Sequence, residues 1–309
     1  MPATMQPLVT VVTPSFNKGP YLEETIQSVL NQSYHNIEYI VKDGGSSDET
    51  LSILKKYDSD ILWKSEPDSG QSDAINKGWK SANGEILAYL NADDIYYPGT
   101  IETVVDFFNT HPETKIIYGD GVLTDEAGRI IGNHKAGPYY YNELLYGRNF
   151  IFQPTVFFRR ELLERIGYID TALHLTMDLD YWIRTGYLYQ FGYIEGTPLA
   201  GAKIYANTKT VSLLYKTVDE LDYIIKKFYT QTEIDLDKVP PQKDVLNYIY
   251  CKGGLDSIHL KKYSHGLRYL RKAFCLNPSV FIKNVTELSI KFIKNKDSAR
   301  KAGWTGKPS

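Results

Sequence analysis

Two hydrophobic periods alternate along the first half of the chain. Leu8 to Val12 is an almost unbroken apolar and β-branched run, the pattern of a strand buried on both faces of a parallel sheet. Pro20 then opens a stretch in which Leu22, Ile26, Val29 and Leu30 recur on one face of an amphipathic helix. Ile37 to Val41 predicts a second strand. Ser46 and Glu49 read as a capping box ahead of a helix carrying Leu51, Leu54 and Tyr57. Ile61 to Trp63 predicts a third strand, followed by a helix over Ser72 to Ser81 with Ala74, Ile75, Trp79 and Ala82 on one side. Ile86 to Leu90 predicts a fourth strand, Ile101 to Phe108 a helix, and Ile116 to Tyr118 a fifth strand.

Such alternation predicts an α/β fold, a mostly parallel sheet flanked by helices. Sheets of this kind bind ligands beyond the carboxyl ends of their strands. After about residue 120 the pattern is mixed. Thr124 to Arg129 reads as a hairpin turn, Thr155 to Phe158 as a strand, and Glu161 to Ile166 as a short helix. Leu179 to Tyr187 reads as a longer helix led by Asp178 and Asp180. Beyond Thr217 the pattern is helical, broken at Pro240-Pro241 and Pro278. We therefore expect an α/β domain over residues 1–215 and a helical C-terminal extension over 216–309. Gly266-Leu267 through Ala273-Phe274 to Pro278 resembles one tetratricopeptide helix, a single unit without a tandem array.

Composition narrows the class. With 42% hydrophobic and 23% charged residues among 309, the chain can bury a sizeable core, which excludes disorder, collagen and disulfide scaffolds. Lys and Arg number 35 against 37 Asp and Glu, so no nucleic-acid partner is expected. Cys251 and Cys275 make neither a metal cluster nor a disulfide framework, which fits a reduced, cytoplasmic setting. The 25 Tyr imply ring-lined surfaces with polar tips. Met1 to Pro7 lacks the features of a signal peptide, and no run approaches ~18 uninterrupted apolar residues. Near the end, Val280-Phe281, Val285, Leu288-Ser289 and Phe292-Ile293 recur at helical spacing beside Lys283, Lys291, Lys294 and Lys296. That helix either packs its apolar side on the protein or makes a peripheral contact with anionic lipid at the inner face of a membrane.

The candidate chemistry follows the predicted strands. After them come Thr13-Pro14-Ser15-Phe16-Asn17, Asp43-Gly44-Gly45-Ser46, Glu66-Pro67-Asp68-Ser69-Gly70-Gln71 and Asn91-Ala92-Asp93-Asp94. Carboxylates at Asp43, Asp68, Asp93 and Asp94 thus recur at one rim. Acids converging there repel unless a cation or a hydrogen-bonding ligand intervenes, and Mg²⁺ or Mn²⁺ suits oxygen ligands and phosphates. Taken singly, Asp43 reads equally as a tight turn, and Asp68 or the Asp93-Asp94 pair as a helix cap. The joint pattern is more specific than any member. The six His show no metal-ligand spacing, and neither a Ser-His-Asp set nor a phosphate-binding Gly-x-x-x-x-Gly-Lys loop is evident.

Thr10 to Asn17, Glu24 through Ser28-Val29-Leu30-Asn31-Gln32, Asp43-Gly44-Gly45-Ser46-Ser47-Asp48-Glu49-Thr50 and Asn91-Ala92-Asp93-Asp94 closely resemble the family 2 glycosyltransferases. The resemblance runs from about Leu8 to Ser212, roughly two thirds of the chain, and Glu66 to Gly78 is most similar to the bacterial polysaccharide-assembly branch. It implies a GT-A nucleotide-diphospho-sugar transferase fold and inverting, metal-dependent transfer to a glycan or glycolipid acceptor. It also implies a nucleotide-sugar half over residues 1–120 and an acceptor and base half over 121–215.

Carried over by position, the resemblance implies that Pro14, Ser15 and Phe16 line the base and ribose, that Asp43 accepts a hydrogen bond from the base, and that Asp68 helps hold the nucleoside. Asn91 and Asp93 fall at the ends of the family's aspartate-any-aspartate motif. An amide at 91 can bond a ribose hydroxyl but replaces a charged metal ligand poorly, which leaves the metal to Asp93. Met177-Asp178-Leu179-Asp180-Tyr181-Trp182-Ile183-Arg184 resembles the family's acidic pair followed by Trp and Arg, with Met177 in place of the usual first glutamate. That makes Asp178 the general base. Asp94, Gln153 and Trp182 are acceptor-side candidates, although Asp94 reads also as a support behind the metal ligand, Trp182 more readily as core, and Gln153 equally as a strand end. Arg184 is expected to pair with a carboxylate. Lys203 and the Asn207-Thr208-Lys209-Thr210 turn resemble a segment that closes over the donor, with Lys209 meeting the diphosphate.

Two other readings stand beside this one. Sugar nucleotidylyltransferases need a Gly-rich, Arg-containing loop after the first strand, which Thr13 to Asn17 lacks. A non-catalytic nucleotide-sugar-binding relative is favoured by Asn91 and Met177.

Overall fold

A computed structural model describes residues 6–205 and 216–301, with side chains as far as residue 291. The chain divides into two compact units, Met1–Leu144 with Arg148–Ser212, and Leu145–Gly147 with Leu213–Ser309.

In chain order the first unit runs β1 (Val9–Ser15), α1 (Gly19–Leu30), β2 (Ile37–Asp43), α2 (Thr50–Lys56), β3 (Leu62–Ser65), α3 (Gln71–Ser81) and β4 (Ile86–Tyr89). There follow β5 (Ile95–Tyr96), α4 (Thr100–Thr110), β6 (Ile116–Gly119), β7 (Gly121–Thr124), β8 (Ile130–His134) and α5 (Tyr141–Leu145). A 3-10 turn (Gln153–Thr155), β9 (Phe157–Arg159), α6 (Glu161–Ile166), α7 (Met177–Leu188), β10 (Gly192–Ile194) and β11 (Ala200–Lys203) complete it.

Seven strands pair in the order β10-β6-β9-β4-β1-β2-β3. β9 runs antiparallel to both β4 and β6, and the other neighbours are parallel. All seven residues of β1 are buried, as a strand covered on both faces requires. Val9 and Val11 pack with Leu22, Ile26 and Val29 of α1, and each such buried side chain contributes roughly 1.5–3 kcal/mol. The register pairs Ser15 with Asp43 and Asp43 with Ser65, so the ends of β1, β2 and β3 come level at one rim. A smaller sheet, β5-β11-β7-β8, adds the hairpin expected at Thr124 to Arg129.

Local expectations fail in two places. The capping box does not form. Asp48 takes the Thr50 N–H at 3.0 Å, while Ser46 turns its hydroxyl to Asp43. The strand expected from Thr155 begins at Phe157, because Gln153–Thr155 closes a 3-10 turn.

The second unit carries α8 (Thr217–Tyr229), α9 (Gln242–His259), α10 (Tyr263–Leu276) and α11 (Pro278–Lys301). The predicted breaks at the prolines are present. A further break at Leu260 to Lys262, with Lys261 at φ 59°, separates α9 from α10. The two helices pack backbone to backbone, since a Cβ on Gly266 would lie 2.9 Å from the Gly254 carbonyl. Buried Asn247 donates to the carbonyls of Ala273 (2.9 Å) and Asn277 (3.1 Å), a second bond for each beside its backbone N–H partner, and so ties α9 to the α10–α11 junction.

Candidate functional site

The loops after β1 and β2 are stitched together by the Asp43-to-Thr50 run. Asp43 is buried, and its Oδ2 accepts from the Gly45 and Ser46 N–H groups and from Ser65 Oγ at 3.1, 2.9 and 2.6 Å. Ser46 Oγ donates to Oδ1, which keeps one further lone pair. Ser46 Oγ also accepts from the Asn17 N–H (2.7 Å), and Asn17 Oδ1 accepts from the Ser47 N–H (2.9 Å). Asp48 takes the first N–H groups of two helices, Gly19 and Thr50, each at 3.0 Å. Its pKa lies below the ordinary value because these bonds outweigh burial, which acts the other way. Of the three residues assigned to the base and ribose, Pro14 and Ser15 are buried, and only Phe16, 59% exposed, presents its side chain.

At the end of β3, Asp68 lies against Gly44, where a Cβ would come within 2.8 Å of its Oδ2. Glycine is required at 44 for this approach. The other oxygen accepts from the Gly70 N–H at 2.8 Å.

Beyond β4, Asn91 is the hub of a polar network. Its amide donates to Asp94 (2.9 Å) and Gln153 (3.2 Å) and accepts from Gln71 (2.7 Å). Gln153 in turn donates to the Tyr89 carbonyl at 2.9 Å. Asp94 is buried beneath this network. Burial first, and then the charge of Asp93, push its pKa up to about 8. Held by the Asn91 amide and the Lys203 N–H, it supports the site from behind, one of the two roles expected of it, and does not face an acceptor.

Asp93 faces a different set. Its Oδ2 accepts from Lys18 Nζ at 2.5 Å and from the Tyr205 hydroxyl at 2.6 Å, and Lys18 also donates to Tyr205. Burial alone would lower the Lys18 pKa, but the Asp93 charge and hydrogen bond outweigh it and raise the value. Tyr205 stacks on Tyr21, with ring centroids 5.3 Å apart. Lys203 is buried, pairs with Glu24 at 3.0 Å, and lies over the Tyr21 ring.

The segment before α7 is pinned to α3. Asn76 exchanges hydrogen bonds with the backbone of Ile169, and Ser72 Oγ bonds the Leu173 carbonyl at 3.0 Å and Met177 Sδ at 2.8 Å. Met177 is therefore a packing residue. Asp178 at the start of α7 is half-buried, accepts from Asn149 Nδ2 at 3.0 Å, and stands near enough to Tyr89 to add to the effect of burial in raising that phenol's pKa. Asp180 is buried in an ion pair with Arg184 at 2.8 Å, and Arg184 also donates to the carbonyls of Ile166 and Tyr168. This is the pairing expected of Arg184. Trp182 is corrected to core. It is 1% exposed and packs edge-on to Tyr181 and Phe191, leaving no face for a sugar.

Thus Asn91, Asp94 and Gln153 meet in one network, and Asp178 pairs with Asn149. Lys209 lies outside the described residues. Lys18, Tyr205, Gln71 and Asn76 escape the sequence reading. Only Lys18 carries a local signal, the Asn17-Lys18-Gly19-Pro20 turn with Asn17 at φ 50°.

For a divalent cation, the described residues hold no group of three or more His, Cys, Asp or Glu. Mg²⁺ and Mn²⁺ do not need one when substrate phosphates complete the shell around one or two carboxylates. Asp93 offers one such carboxylate, with its Oδ2 paired to the Lys18 ammonium, and an oxygen donor of this kind is compatible with either ion.

Comparison with known proteins bears on the family and the fold. Residues 10–167 match the family described as Glycosyl transferase family 2. An uncharacterized glycosyltransferase of Rickettsia typhi is 32% identical over 59% of this chain and 59% of its own. A PGL/p-HBAD biosynthesis glycosyltransferase of Mycobacterium bovis is 30% identical over 58% of this chain and 69% of its own. The chain thus spans about three fifths of the Rickettsia relative's length. Among solved structures, S. aureus TarS 1-349 in complex with UDP-GlcNAc superposes with a TM-score of 0.66 at 16% identity, covering 90% of this chain and 83% of that one. Mannosyltransferase PcManGT from Pyrobaculum calidifontis, in complex with GDP-Man and Mn²⁺, gives 0.60 at 17% identity over 93% and 81%. These likenesses show the GT-A fold. The sequence match, extending over half the chain and through the loops that build the rim, places the protein in glycosyl transferase family 2.

Proposed function

We propose that the protein moves a sugar from a nucleotide-diphospho-sugar to a hydroxyl of a glycan or lipid-linked glycan acceptor, with inversion at the anomeric carbon. The observation that carries this reading is the Asn91–Gln153–Tyr89 network beyond β4, with Asp93 two residues on in the same loop and α7, which begins beside Asp178, tied to α3 through Ser72. TarS with UDP-GlcNAc and PcManGT with GDP-Man and Mn²⁺ support the donor class and the metal.

In this reading the exposed Phe16 ring meets the base, the free lone pair on Asp43 Oδ1 accepts its N–H, and Asp68 holds the nucleoside. The Asn91 amide bonds a ribose hydroxyl, and Lys209 meets the diphosphate. Asp93 would hold Mn²⁺ or Mg²⁺, which would supply positive charge against the negative charge that grows on the leaving diphosphate. Asp178 takes the proton of the acceptor hydroxyl as its oxygen bonds to the anomeric carbon. The carbon–oxygen bond to the diphosphate breaks, and its electron pair leaves with the nucleotide.

Charge is unevenly shared along the chain. Residues 1–258 carry 23 Lys and Arg against 35 Asp and Glu, and residues 259–309 carry 12 against 2. The apolar stripe expected at Val280, Phe281, Val285 and Leu288 is half-buried, and Phe281 meets Phe274 edge-on. Among the described side chains of α11 the exposed apolar groups are Ile282 and Ile290, next to exposed Lys283 and Lys291, while Phe292, Ile293, Lys294 and Lys296 lie outside the described side chains. Among the described residues no helix is long and apolar enough to cross a membrane. The basic composition of residues 259–309 supports reading α11 as a peripheral contact with anionic lipid, bringing the enzyme to a lipid-linked acceptor at the cytoplasmic face, with a packing helix as the other reading.

The test is a panel of UDP- and GDP-sugars incubated with and without Mn²⁺. Slow, Mn²⁺-dependent release of nucleoside diphosphate from one donor supports the enzyme. Saturable donor binding with no release over background supports the alternative that Asn91 favours, a non-catalytic nucleotide-sugar-binding relative.

A further inference from the structure

The donor reading leaves one charged group without a task. Lys18 projects from the loop between β1 and α1, and its backbone is fixed. Its N–H donates to Thr50 Oγ1 at 3.2 Å, and its carbonyl accepts from the N–H groups of Tyr21 (3.0 Å) and Leu22 (2.9 Å). From that anchor the ammonium reaches Asp93 Oδ2 at 2.5 Å and lies over the rings of Tyr21 and Tyr205 at 5.9 and 5.0 Å. The Tyr205 hydroxyl closes a triangle by bonding both partners.

We infer that Lys18 is the resident counter-cation of Asp93, exchanged from that carboxylate to the diphosphate when nucleotide and metal arrive. This rests on the metal-assisted reading above. Two cations cannot share one carboxylate oxygen without strong repulsion. A divalent ion arriving alone at Oδ2 would break the charge-assisted bonds of Lys18 and leave a partly buried ammonium unpaired, and at Oδ1 it would meet that ammonium's charge across the carboxylate. Arriving with a nucleoside diphosphate, the metal brings phosphate oxygens to which the displaced ammonium can bond. Metal and nucleotide thus bind as a pair, each raising the affinity for the other by the same factor. Lys18 is in this sense a positioning residue that keeps Asp93 paired and aimed until the donor comes.

The experiment titrates Mn²⁺ by electron paramagnetic resonance, alone and with UDP or GDP, on the wild type, Lys18→Met and Tyr205→Phe. Wild type should bind Mn²⁺ weakly alone and much more tightly with one nucleotide. In K18M, Mn²⁺ alone should bind about tenfold more tightly and nucleotide with Mn²⁺ about tenfold more weakly, the scale of a charge-assisted hydrogen bond. Y205F keeps the ring and loses the hydroxyl bridge. It should shift Mn²⁺ binding in the same direction by a smaller factor, which keeps the idea testable if K18M does not fold. Cooperative binding in wild type that neither variant changes overturns the role of Lys18 alone. Absence of nucleotide-dependent Mn²⁺ binding in wild type overturns the metal-assisted reading beneath it.

Discussion

Asn76 and Ile169 hold each other by two hydrogen bonds, the side-chain amide of one against the backbone of the other, at 2.8 and 3.1 Å. Both ends are buried, and the pair fastens α3 to the segment that leads into α7 and Asp178. It is the means by which a carboxylate far along the chain is brought to the rim of the parallel strands.

Asn76→Ala leaves the Ile169 N–H and C=O without their partner, at a cost of about 1–3 kcal/mol for each group that stays buried. The variant should unfold at lower temperature while nucleotide affinity, built on β1 to β4, is kept. Transfer should fall more than donor binding, because the change acts on the placement of Asp178. Thermal unfolding together with nucleotide titration checks both halves.

Much of this arrangement is legible in the sequence. Parallel strands put their last residues at one edge, so Asp43, Asp68 and Asn91 can be assigned to a rim from the strand pattern alone. What a side chain does there is harder to read. Ser46 looks like a helix cap because it precedes Glu49 by three positions, yet it serves Asp43. Trp182 carries no mark distinguishing a sugar platform from core, and burial decides. Lys18 and Tyr205 stand 187 positions apart, and only the return of β11 beside β5 and β7 brings them together.

Asp120 gives the molecule an acid-sensitive joint. This buried carboxylate accepts from the Ala136 N–H at 3.0 Å and the Tyr193 hydroxyl at 2.7 Å. Burial acts to raise its pKa, but these bonds outweigh it and hold the value below the ordinary one. A carboxylate with a lowered folded pKa contributes stability above its unfolded value of ~3.9, and that contribution is lost as pH falls through the folded value. Asp120→Asn should therefore be less stable than wild type at pH 7, with the gap closing below about pH 4. Denaturant unfolding at pH 7, 5 and 3 measures it, and a gap independent of pH would show that the charge contributes nothing.

The basic second unit should bring the protein to anionic vesicles at low salt and release it as salt rises, since screening shortens the reach of surface charge. Replacing Lys283 and Lys291 with Glu should weaken sedimentation with phosphatidylserine vesicles, with no change for neutral ones. If the wild type does not sediment with anionic vesicles at low ionic strength, α11 is a packing helix and the acceptor is soluble or reached through a partner.

The central claim, that Asp178 takes the acceptor's proton, is tested most directly by single-turnover transfer in Asp178→Asn with donor prebound. The amide can still accept from Asn149 and keep its place at the start of α7, but it cannot take a proton. The account predicts unchanged donor affinity with transfer slowed by ~10²–10⁴-fold, the range of a general base. Transfer at a near-normal rate in a variant that binds donor normally would contradict the account.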